Sequence, residues 1–186
     1  MLWDYWRYER RLSLQGSQGV VDYAKSHGLY VPDDPEGVYT SPASMVTIAQ
    51  DLLKVMEEES GKDDVEMTIE WGHAPVDPKG AQKWLKGWLG RGYPLIVDVT
   101  TLTKKDAAVG AHFVLVTGVN PEGDVYFHDP YSGGDLNGDG LIDQKELGAT
   151  RREVSWSDFY WAWMHNSDAK VGGAGWWLLF RPIEGE

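Results

Sequence analysis

From residue 42 onward, apolar residues recur at helical spacing. Met45, Ile48, Ala49, Leu52, Leu53 and Met56 fall three and four positions apart and make one stripe. Ser41 and Pro42 stand at the N-cap and first helical positions, where both are favoured, and Gly61 is placed to end the helix. The period then drops to two. Val65, Met67, Ile69 and Trp71 alternate, which predicts a strand with those four side chains on one face. Asp77-Pro78 opens a second amphipathic helix with Ala81, Trp84, Leu85, Trp88 and Leu89 inward, closing at Gly90.

The second half is strand-rich. Residues 95–99 (Leu-Ile-Val-Asp-Val) predict a buried strand. Residues 112–118 and 125–129 predict two more, joined through the turn 120–124 as an antiparallel hairpin. Ser155 or Ser157 caps a helix through Trp163, and residues 176–180 (Trp-Trp-Leu-Leu-Phe) predict a final strand. Near the N-terminus, helices are expected over 2–12 and 18–26, the second ending at Gly28. Helices first and an antiparallel sheet afterwards give the fold class α+β, and 186 residues suit one domain spanning 1–186.

Composition narrows the chemistry. The net charge of −12 argues against nucleic acid as a partner, because phosphate binding needs a basic surface. With no cysteine, disulfides, thiolate-bound zinc and a thiolate nucleophile from these residues are excluded. No run reaches the roughly 20 apolar residues of a membrane span. Ten Trp and nine Tyr are numerous enough to fill a core or line a groove. Trp84 and Trp88, one helical turn apart, are read as core, as are Trp161, Trp163, Trp176 and Trp177. His73 is read as a loop residue and His128 as a strand residue facing away from Asp129.

Residues 135–146 match an EF-hand-type calcium loop at every constrained position. Asp135, Asn137 and Asp139 stand at positions 1, 3 and 5, and Gly140 at the sharp turn. Leu141 offers its carbonyl, Asp143 binds through water, and Glu146 supplies the bidentate carboxylate. Hard oxygen donors at this spacing wrap one Ca²⁺; Mg²⁺ tolerates so many ligands poorly. The flanks are not those of a full EF-hand. Pro130 and two glycines precede the loop, and Gly148 follows it closely. The expectation is a structural clamp rather than a sensor.

His112 begins one predicted strand and Asp129 ends the next, so a hairpin brings them to one end. There a carboxylate can orient an imidazole, as in nucleophilic triads.

These segments resemble the C39-like peptidase family, cysteine peptidases of papain-like fold. The likeness rests on His112-Phe-Val-Leu-Val-Thr-Gly118, a short turn, then Val125-Tyr-Phe-His-Asp-Pro130. Upstream it includes Leu89-Gly-Arg-Gly-Tyr-Pro-Leu-Ile-Val97 and the helix start Val38-Tyr-Thr-Ser-Pro-Ala-Ser-Met45. The closing elements 155–163 and 176–180 extend it over nearly the whole chain. It implies N-terminal helices packed on a C-terminal antiparallel sheet, with His112 as catalytic base and Asp129 as its orienting residue.

The family's Cys-Gly-Pro nucleophile motif and its oxyanion-hole Gln have no counterpart here. Residues 1–6 resemble the continuation of the helix that would carry the Cys. An alternative alignment sets Thr40-Ser41-Pro42-Ala43-Ser44 against the motif but leaves residues 1–39 without a role. Three accounts follow: a nucleophile segment upstream, a natural pseudo-peptidase, or Thr40 or Ser41 as an unusual nucleophile. Calcium and the resemblance imply an extracellular or cell-surface setting and a peptide or protein ligand. The alternative function is a calcium-stabilised binding module without catalysis.

Overall fold

The computed structural model describes residues 26–29, 40–60, 67–100, 112–128, 151–165 and 173–183. Among them are three helices and six strands. The helices are α1 (Pro42–Ser60), α2 (Pro78–Leu89) and α3 (Trp156–Met164). The strands are β1 (Met67–His73), β2 (Leu95–Val99), β3 (His112–Val119), β4 (Val125–His128), β5 (Arg151–Val154) and β6 (Trp176–Pro182). All strands join one antiparallel sheet in the order β1-β6-β2-β3-β4-β5. The fold class is α+β.

Each helix starts where its side chains satisfy the first free N–H groups. The Ser44 N–H donates to Ser41 Oγ at 3.0 Å. The Gly80 N–H donates to Asp77 Oδ1 at 2.6 Å, with Pro78 as the first helical residue. The Asp77 carboxylate lies so close to Gly80 that a Cβ there would collide with it. The Asp158 N–H donates to Ser155 Oγ at 3.2 Å, which resolves the choice between Ser155 and Ser157. Gly90 follows α2 in a right-handed conformation (φ −67°), and the left-handed residue is Gly92 (φ +81°).

The hairpin β3–β4 turns through Asn120. Its Oδ1 accepts the Gly123 and Asp124 N–H groups, each at 2.7 Å, and Gly123 supplies the positive φ of 103°. A register shift between Val116 and Gly118 marks a bulge in β3.

The sheet is covered on both faces. Leu95, Val97, Val99, Val114, Val116, Phe127, Trp177 and Leu179 pack with α2 through Ala81 and Leu85, and with α3 through Phe159, Ala162 and Trp163. Met67, Leu115, Trp176, Leu178 and Phe180 form a second cluster with Ala49 of α1. Leu178 and Leu179, adjacent in β6, are both fully buried, one in each cluster.

Helices therefore do not simply precede the sheet, as expected. β1 comes before α2 and pairs along its whole length with β6, while α3 lies between β5 and β6. The cause is a long-range pairing of the first described strand with the last. β1 also extends to His73, so His73 is a strand residue rather than a loop residue. Trp71 is 48% exposed although it shares a face with the buried Met67; β1 is an edge strand with a neighbour on one side only among the described strands. Glu70 of β1 is fixed to Arg181 of β6 by a 2.6 Å ion pair.

Candidate functional site

One end of the sheet gathers the segments that carry the candidate chemistry. Val99, the last residue of β2, pairs with His112, the first of β3. His128, the last residue of β4, pairs with Leu115 on one side and with Arg151, the first of β5, on the other. The chain therefore enters β3, leaves β4 towards Asp129 and enters β5 at this same end. The 129–150 connection, which contains the predicted calcium loop, begins and finishes on two strands held directly opposite each other. Asp129 and the six predicted calcium ligands, Asp135, Asn137, Asp139, Leu141, Asp143 and Glu146, lie outside the described residues, as do the predicted helices 2–12 and nearly all of 18–26.

The same end holds two polar side chains not singled out by the sequence patterns. Asp98 and Thr100 are the buried polar residues among those described, 0% and 1% exposed. Alternation in β2 puts Asp98 with Ile96 on the α1 face, paired in register with Phe113 beside His112. A carboxylate held away from water needs compensating partners. The Thr100 N–H donates to the Ala162 carbonyl at 2.9 Å, tying the end of β2 to α3. The available signal was the Asp itself, a charged residue inside the apolar run Leu-Ile-Val-Asp-Val.

The alternative hydroxyls have structural work. Ser41 Oγ caps α1 and donates to Ser44 Oγ at 3.0 Å. Thr40 precedes the cap and is half-buried. The remaining described histidines are dispersed. His73 Nδ1 lies 2.9 Å from the Ala174 carbonyl, and His165 stacks on Trp161 with ring centroids 5.0 Å apart. No group of three or more His, Cys, Asp or Glu able to hold a metal occurs among the described residues.

Trp84, Trp88, Trp161, Trp163 and Trp177 belong to one packed cluster and Trp176 to the other. Trp84 packs against Trp177 and Trp163, with ring centroids 4.9 and 6.2 Å apart. Trp163 is fully buried and its Nε1–H donates to the Trp176 carbonyl at 2.9 Å. Among the described residues, no helix is long and apolar enough to cross a membrane. Compared with protein-family models, with curated proteins and with solved structures, the chain gives no match.

Proposed function

We propose that this chain is a papain-like domain of the C39-like cysteine-peptidase type that binds one Ca²⁺ and, as written, holds a peptide without cleaving it. The backbone register is the observation that carries this reading. It starts β3 at His112 and ends β4 one residue before Asp129, at one end of the sheet. A His and an Asp there are suited to a proton-shuttling pair, His112 as base and Asp129 as its orienting group. The sequence contains no Cys, so these residues supply no thiolate for that base to activate. Ser41 is a poor substitute because its oxygen is engaged in capping α1.

The calcium part of the proposal rests on the donor spacing from Asp135 to Glu146. An ion bound there closes a long connection whose ends are already anchored at His128 and Arg151. Affinity in the range of extracellular modules, about 10⁻⁴–10⁻³ M, would set the domain outside the cell or on its surface.

A panel of unstructured peptides tests the function in millimolar calcium. Saturable binding without turnover is the expected result. Calcium-dependent cleavage that disappears in His112→Ala would overturn the inactive reading and favour a complete peptidase. Neither binding nor cleavage across the panel would remove the peptidase-type assignment.

A further inference from the structure

α2 and the turn after it concentrate positive charge in an acidic chain. Lys79, Lys83, Lys86 and Arg91 fall between Pro78 and Pro94, a stretch with no Asp or Glu, whereas the whole sequence carries 29 acidic and 17 basic residues. α2 buries Ala81 and Leu85 against the sheet, and all four cations are exposed. Their helical spacing sets the three lysines about 6 and 4.5 Å apart along the axis. The ion pairs described, Lys54–Asp51 and Arg181–Glu70, involve none of them. Among the described residues, Asp77 is engaged in the cap of α2 and Asp124 with the Asn120 amide at 3.2 Å, and the exposed Glu122 in the β3–β4 turn is in none of the ion pairs described. Arg91 lies over Trp88, its guanidinium carbon 5.4 Å from the ring centroid, which restricts an otherwise flexible side chain.

We propose that the outward face of α2 is a docking surface for an acidic polypeptide segment. Charge complementarity selects an anion, and the setting selects a narrow one. A lipid surface or a nucleic acid would press its phosphates against the rest of a molecule of net charge −12. A short extended segment touches α2 alone. It presents carboxylates on one side every ~6.6 Å, close to the axial spacing of Lys79 and Lys83, and the long lysine stems reach across the shorter step to Lys86. At physiological ionic strength the Debye length is about 8 Å, so a ligand on α2 feels these cations more than distant carboxylates. Gln82 of α2 donates to the Gly123 carbonyl at 3.4 Å, which sets the helix beside the β3–β4 turn. That turn is at the opposite end of β3 from His112, so the surface is separate from the peptidase-type site and its test does not depend on that reading.

The test uses the full chain and a fluorescein-labelled hexaglutamate peptide, read by anisotropy in 150 mM NaCl. Saturable binding is expected, weakened by added salt. The triple substitution Lys79→Gln, Lys83→Gln, Lys86→Gln should weaken it about tenfold, from three exposed pairs of modest strength. The corresponding triple Lys→Arg protein should retain it, and Lys54→Gln should leave it unchanged. An unchanged melting curve for each variant excludes unfolding as the cause. Absence of saturable binding, or binding indifferent to the triple Gln substitution, would overturn the proposal. So would lysine-dependent binding of phosphatidylglycerol vesicles without binding of the peptide.

Discussion

On the face covered by α2 and α3, large rings interlock: Phe159 with Trp163 at 5.5 Å, Trp163 with Trp84 at 6.2 Å, Trp84 with Trp177 at 4.9 Å. The face covered by α1 meets Met45, Val46, Leu52 and Leu53, all half-buried, and carries the buried Asp98 near its edge. One face is thus closed by two helices that bring aromatic rings of their own, the other among the described residues by one helix whose contacting side chains are aliphatic, laid over sheet aromatics such as Trp176 and Phe180. Rigid, tightly packed surroundings cannot collapse into a void, while Met and Leu can adjust. The first face should behave as the scaffold and the second as the more adaptable surface.

The largest effect should come from Trp163→Ala, which empties the centre of the aromatic face and leaves the Trp176 carbonyl without its donor. A loss of about 3–5 kcal/mol is expected in urea denaturation. The sharper test uses neighbours in β6. Leu179→Ala and Leu178→Ala remove the same atoms from opposite faces, each at an expected cost of about 2–5 kcal/mol. Leu179→Ala should cost more; equal or reversed values would break the contrast between the faces.

Calcium comes next. With Ca²⁺ at about 100 times its Kd, chelation should remove about 2.7 kcal/mol. Because the connection 129–150 leaves from the sheet end rather than from either face, both Leu variants should lose the same increment on EDTA addition. A melt indifferent to EDTA would remove the ion and its clamping role together. The smallest effects concern the caps. Asp77→Ala on the aromatic side and Ser41→Ala on the α1 side should each cost about 1 kcal/mol by thermal melting. A much larger loss for Ser41→Ala would mean that the single helix is what holds its face closed.

Local patterns made much of this legible. The bounds of β2, the caps of α1 and α2, and the hairpin through Asn120 follow from nearest-neighbour chemistry: apolar runs, Ser-Pro and Asp-Pro starts, a Gly at positive φ. β5 was not legible, because Arg-Arg-Glu-Val offers neither an apolar run nor an alternating face. It is a strand only because β4 lies beside it. The exposure of Trp71 was not legible, because periodicity assigns a face without showing whether anything covers it. Asp98 was visible as a charged residue in a strand read as buried, but its full burial depends on β2 standing between β6 and β3, which are distant in sequence. Of the candidate site, the structure describes the backbone position of His112; the calcium ligands remain a statement about spacing.

The place of β6 has a consequence for how the molecule is made. β6 lies between β1 and β2, pairing residues 67–73 with 176–182 and residues 95–97 with 177–179. These are among the most non-local contacts of the sheet, and such contacts form slowly. During synthesis β1 has no partner among the described strands until β6 has left the ribosome, so Met67–His73 waits as an unpaired edge that carries the apolar Met67, Ile69 and Trp71. The C-terminal strand is therefore the event that completes the sheet, and a chain stopped before Trp176 would expose two strand edges at once.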